Sequence, residues 1–293
     1  MKVQFSIIKL FVITLFLFLL VSCGAPPILI KPAANKVKKI TLVSVTANRG
    51  VRNLKGQSKM EALTSVFSMV RSKTKGKDKE KKKDEIFDFG GNNLVNFAAE
   101  TFNYEFAQIK GWQLVPSDDI LGTDAYQKFR RNMKKFADSL LGEGGASKAL
   151  SVLMDAGSIS ADGMPAAPYD GRAGDEKQML TELAQDLGVD AVVVLEVDMA
   201  YAASTAIGGT GTAAGAVGIG MVVVNKFGDY VINTPNMRGQ KDFTGYRVRS
   251  DNTVAMVAGN IIYSSKADAV FKDSISKGMD VIKTKINGEL NPK

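Results

Sequence analysis

Residues 175–201 read DEKQMLTELAQDLGVDAVVVLEVDMAY, and two periodicities meet inside that stretch. Met179, Leu180, Leu183, Ala184 and Leu187 recur at helical spacing, Asp175 stands at the N-cap position, and Gly188 supplies the stop. From Val189 to Tyr201 the period changes to two. Ala191, Val193, Leu195, Val197, Met199 and Tyr201 are all apolar, which marks one face of a strand as buried. A helix running through one glycine into a strand is half of an α/β unit, and the rest of the chain can be read outward from it.

Upstream, VKKITLVSVTA (37–47) is rich in β-branched residues and predicts the first strand. Leu94, Phe97, Ala98, Thr101, Phe102, Phe106 and Ile109 form an apolar stripe, predicting a helix over 91–110 with Asn92 or Asn93 as cap and Gly111 as stop. Trp112 to Val115 follows as a short strand ended by Pro116. Ser117 with Asp118 and Asp119 reads as the next helix start, with the acids at the positive end of the helix dipole. Tyr126, Phe129, Met133, Phe136, Leu140 and Leu141 carry a second amphipathic helix, closed by Gly142.

Downstream, small residues dominate 202–220 (AASTAIGGTGTAAGAVGIG) before a strand at Met221–Phe227, a turn at Gly228-Asp229 and a return strand at Tyr230–Asn233. Further strands are expected at 243–248 and 254–263. Ala267, Val270, Phe271, Ile275, Met279, Ile282 and Ile286 share one face of a long helix over 265–288. The order β-α-β-α-α-β, then antiparallel strands and a C-terminal helix, predicts an α/β fold. Its sheet is mixed and largely antiparallel, with packed helices, in a single domain over 37–293. Two stretches interrupt it. RSKTKGKDKEKKKDE (71–85) holds eight basic and four acidic residues and no apolar one, so it reads as a disordered insertion. Residues 142–174 lack a sustained period and read as an irregular excursion, with one short helix at 147–154.

The N-terminus carries an address. Lys2 and Lys9 precede an apolar run from Leu10 to Val21, too short for a spanning helix of about 20 residues. Leu20-Val21-Ser22-Cys23-Gly24 then fits a bacterial lipobox. Residues 1–22 are therefore expected to be a signal peptide, Cys23 the lipidated residue, and 23–36, with three prolines, a tether. Cys23 is the only cysteine in the chain, so no intrachain disulfide can form. Gly24 after the cysteine favours an outer-membrane lipid anchor facing the periplasm. The mature chain has net charge +6, against +8 for the whole chain, because Lys2 and Lys9 leave with the signal. In an exported protein that basicity points to anionic lipid or polysaccharide, contacted through 71–85, and not to nucleic acid.

The chain contains no histidine, so Ser–His–Asp, Cys–His and imidazole–zinc chemistry are excluded. No Walker A sequence occurs. Gly209-Thr-Gly211 with Gly215 lies between two predicted strands, whereas a dinucleotide fingerprint needs a helix after it. Asp88-Phe89-Gly90 spells the kinase triplet without any catalytic-loop partner. The one carboxylate pair of interest is Glu196 and Asp198. Two residues apart on a strand, they share a face about 7 Å apart, a spacing that suits an inverting pair or a calcium ligand pair. The plainer reading is a solvent-facing stripe with Lys226 or another cation opposite. No cofactor is expected. For 202–220 the readings are a mobile hairpin loop, or strands that enter a bilayer or pack on a neighbouring subunit.

Taken in order, the lipobox, Ile40–Val45, the Phe-rich helix before Gly111-Trp-Gln-Leu-Val115, and Leu187-Gly188-Val189-Asp190-Ala191-Val192-Val193-Val194 form a recognisable layout. It resembles the envelope lipoproteins that include the curli secretion channel subunit and the activator lipoproteins of penicillin-binding proteins. The resemblance implies an α/β fold and an envelope role. Leu195-Glu196 stands where those proteins often carry a glycine, and the insertion at 48–89 departs from their compact pattern, so no functional residue is carried over. The expectation is a non-enzymatic, lipid-anchored protein that binds or assembles with envelope components or with itself. The alternatives are a ring-forming outer-membrane export channel subunit and, third, a carboxylate-based enzyme.

Overall fold

The computed structural model describes residues 28–48, 51–53, 93–141, 158–164, 174–207, 210–234, 246–257, 260–261 and 264–292. Among them nine strands form one sheet: β1 (Lys39–Asn48), β2 (Arg52–Asn53), β3 (Gln113–Val115), β4 (Ser158–Ser160), β5 (Ala191–Ile207), β6 (Thr210–Asn225), β7 (Tyr230–Thr234), β8 (Tyr246–Val257) and β9 (Asn260–Ile261). The helices are α1 (Lys31–Ala34), α2 (Asn93–Phe106), α3 (Asp118–Leu121), α4 (Asp124–Leu141), α5 (Gly174–Asp186) and α6 (Ser265–Leu290). The main path of the sheet runs β3-β1-β5-β6-β8-β9. β1 is parallel to β3 and β5, and β5-β6-β8-β9 continues antiparallel, so the α/β class with a mixed, largely antiparallel sheet is the fold observed.

The odd residues of β5 do face the main core. Val193, Leu195, Val197, Met199 and Tyr201 pack with α2 and α6. The even face is not free, however. Val192 and Val194 join Val222 and Val224 of β6 under Tyr126, Phe129 and Met133 of α4 and Leu180, Leu183 and Ala184 of α5. Helices cover both faces at this end, as parallel pairing through helical crossovers requires, and that accounts for the unbroken Ala191-Val-Val-Val194 run. In β1 the register with β5 slips between Leu42 and Ser44. The extra residue shifts parity, so Ile40, Leu42, Val45 and Ala47 all reach the main core while Val43 turns to the other. The Tyr126 hydroxyl donates to the Val43 carbonyl at 2.8 Å, giving the bulge a buried partner. Burial pushes that phenol well above its ordinary pKa, with Arg130 opposing only in part.

α5 ends in a Schellman turn. The Val189 amide donates to the Ala184 carbonyl and the Gly188 amide to Gln185, with Gly188 at φ 65°. Asp190 then ties the base of the sheet. Its Oδ2 accepts from the Lys38 and Lys39 amides, both at 3.0 Å, and its Oδ1 from Lys226 Nζ at 2.9 Å. Burial disfavours the charge, but the hydrogen bonds from Lys226 and the two amides, with the Lys226 charge, outweigh it and hold the carboxyl below its usual range. A carboxyl lowered by folding stabilises the fold above its unfolded pKa of about 3.9, and loses that contribution as pH falls through the folded value. Asp190→Asn is therefore expected to cost about 2 kcal/mol at neutral pH. The gap from wild type should close as pH drops through the acid limb, which melting curves measured across pH will show.

Several expectations need correction. Residues 28–36 of the expected tether are packed structure: Ile28 and Leu29 are buried, Leu29 bridges to Ile232, and Pro32 opens α1 where its missing N–H costs nothing. The excursion 142–174 contains β4, whose Ile159 fills the core beside β1. Ser117 caps nothing with its side chain. A short α3 ends at Leu121, and Thr123, accepting from the Tyr126 amide at 3.3 Å, is the cap of α4. The expected strands at 243–248 and 254–263 are instead one strand, β8, followed by the two-residue β9. The turn after β6 spans Lys226–Asp229, where Asn225 Oδ1 accepts from the amides of Phe227 and Asp229.

Candidate functional site

The largest departure lies at 202–220. Its described residues, 202–207 and 210–220, are strand. β5 continues to Ile207 and β6 begins at Thr210, and the two pair in antiparallel register from Ala191↔Asn225 out to Ile207↔Thr210, with one slip between Ala203 and Thr205. β8 adds a third strand, pairing Ile219↔Tyr246 and Gly211↔Met256 at the ends of its register. Low β-propensity of Ala and Gly made the stretch look irregular. Cross-strand pairing over sixteen rungs overrides that preference, because propensity in a sheet is set chiefly by neighbours.

Small residues here also serve packing. A Cβ added to Gly215 would lie 2.6 Å from Val270 Cγ1 and 3.5 Å from Phe271 Cε1, so α6 approaches β6 where no side chain intervenes. Ser250 of β8 donates to Asp273 at 3.1 Å, and Lys277 bridges Asp251 at 2.7 Å, which fastens α6 to β8 as well. On the opposite face of β6, Gly218 and Gly220 stand in register with Asp198 and Glu196.

Glu196 and Asp198 therefore share the even face of β5, beyond the part covered by α4 and α5. Asp198 is only 2 % exposed and Glu196 is half-buried, so the solvent-facing stripe is ruled out. Of the cations expected opposite them, Lys226 is elsewhere, since it binds Asp190 at the base of the sheet. Both carboxylates take part in interactions within the fold. Among the described residues no three acidic side chains converge as a metal-binding cluster. Asp118 and Asp119 form the first turn of α3, and Gly211 and Gly215 lie inside β6 with a strand, not a helix, around them. A shallow groove between α4 and α5, floored by Phe129, Met179 and Leu183 and rimmed by Lys128 and Asp186, lies at the helical layer. Cys23, Asp88-Phe89-Gly90, Gly209, the helix expected at 147–154 and the insertion 71–85 fall outside the described residues.

Comparison with protein-family models finds no match, and comparison with curated proteins finds none either. No helix among the described residues is long and apolar enough to cross a membrane.

Proposed function

We propose that the protein is a lipid-anchored, non-enzymatic component of the cell envelope that assembles with other envelope components, copies of itself first. The observation that carries this reading is the length and composition of the β5-β6 hairpin. It runs 17 and 16 residues, well beyond the mean strand of about 5–6, and Ala, Gly and Thr make up most of its outer half. So long a ribbon, with little bulk of its own, is suited to pairing or packing against another polypeptide. The lipobox at Cys23 supports the address, and the absence of histidine removes the commonest catalytic machineries.

A second reading, the ring-forming export channel subunit, is favoured by one specific observation: strand pairing extends over 202–207 and 210–220. Strands in hydrocarbon must satisfy every backbone group and close on each other, which this hairpin achieves only in a multimer. Both readings predict an oligomer. Full-length protein extracted in detergent is expected to sediment above the 31.5 kDa of one chain. Joining Ala203 to Ala213 through an Asn-Gly turn removes the outer hairpin in register and should yield a monomer. Wild type that stays monomeric at every concentration would sink the assembly reading. Dye leakage from vesicles caused by wild type and lost in the shortened chain would select the channel.

A further inference from the structure

We propose that the strip formed by residues 28–38 and the Lys226–Asp229 turn is the face on which the domain rests against an anionic bilayer. The proposal builds on the lipid anchor at Cys23 and adds to it the surface that meets the lipid. Four residues separate Cys23 from Ile28, so the anchor lies within roughly 18 Å of Ile28 even if fully extended. Ile28 itself is fastened. Its amide and that of Leu29 donate to the two carboxylate oxygens of Glu289, each at 2.8 Å, and the Ile30 amide donates to the Val231 carbonyl at 2.9 Å. The leash therefore has no further slack to draw from 28–30, and the bilayer is held close to this edge of the sheet.

The same edge carries the surface chemistry of a membrane interface. The chain runs antiparallel to β7, so the strip begins at the leash and ends where Lys36 reaches Phe227. Ile30 is 44 % exposed and Phe227 is 62 % exposed, at opposite ends of the strip. Between and beside them Lys31, Lys36 and Lys38 are exposed, and the ammonium groups of Lys36 and Lys226 lie 5.5 and 5.6 Å from the Phe227 ring centre. Asp229, 3.8 Å from Lys36, Asp190, bound to Lys226, and Glu289, bound to the Ile28 and Leu29 amides, are carboxylates of the group; Lys31, Lys36, Lys38 and Lys226 stand against them, so cations predominate by one. An aromatic and an aliphatic side chain among lysines fits the headgroup layer, where the rings partition and each lysine is drawn to anionic lipid.

The test uses lipidated full-length protein in phosphatidylglycerol-containing vesicles. Acylated Cys23 has no free thiol, so a cysteine introduced at one position is the sole labelling site. Fluorophores at Ile30→Cys and Phe227→Cys should be quenched by headgroup nitroxide lipids and shielded from iodide. Labels at Tyr104→Cys, on α2, and Thr210→Cys, at the hairpin end, should behave oppositely. Quenching at 210 with 30 and 227 open to iodide would overturn the proposal and favour hairpin insertion. If mass spectrometry finds Cys23 unmodified, the anchor reading fails, and the face is then judged with the unlipidated chain. There, Lys31→Glu with Lys36→Glu should weaken vesicle binding about ten-fold, an effect absent on phosphatidylcholine alone. Equal binding of that variant, or no binding by the parent chain, refutes the face itself.

Discussion

Replacing Cys23 by alanine is expected to abolish lipid attachment completely and leave either uncleaved precursor or a soluble form. On the proposed anchoring the Cys23 thiol receives the lipid, and the chain holds no other cysteine that could substitute. Each buried methylene of an acyl chain contributes about 0.8 kcal/mol, so two or three chains would hold the protein to the membrane effectively permanently, and the processed alanine variant, left with electrostatic contact alone, should be released from membranes by salt. Metabolic labelling with palmitate and fractionation read both effects. Label entering the alanine variant would show that Cys23 is not the acceptor.

Gly215→Val should be the most damaging single change in the hairpin. Even a methyl group at this position would lie 2.6 Å from Val270 Cγ1, and the fully buried Phe271 ring leaves no direction of escape. α6 would have to lift from β6 and β8, at a cost of about 3 kcal/mol, which lowers the melting temperature by roughly 6–12 °C for a domain of this size. The cause can be isolated with a smaller pair. Gly215→Ala alone should destabilise, and adding Val270→Ala should recover part of the loss, since residues in contact do not act additively. A Gly215→Val protein melting within two degrees of wild type, by the same scale, would show that the helix is not seated as described.

How far each feature was legible depends on whether its cause is local. The helix α5, its glycine stop and the strand after it were readable because periodicity and C-terminal capping act within one or two turns, although α5 starts at Gly174 and takes Asp175, the expected cap, into its first turn. So was the C-terminal helix, whose seven apolar positions on one face all lie in the core. The candidate carboxylates Glu196 and Asp198 were placed on a common strand face correctly, but their burial was not. Nothing near them in sequence reveals that Gly218, Gly220 and the covering layers come from elsewhere in the chain.

By itself the sequence determined the α/β class and the order of most elements, which follow from side-chain period and local chemistry. Tertiary structure alone decided the rest. Ala- and Gly-rich residues 202–207 and 210–220 became strand because β5, β6 and β8 satisfy one another's backbone groups, a gain invisible in any single segment. Ile28 and Leu29 became part of the fold, not a tether, because Glu289 and β7, some 260 and 200 residues away, offer them acceptors and a core to fill. Both outcomes rest on pairing between distant parts of the chain, and periodicity within one segment carries no information about which partner will be there.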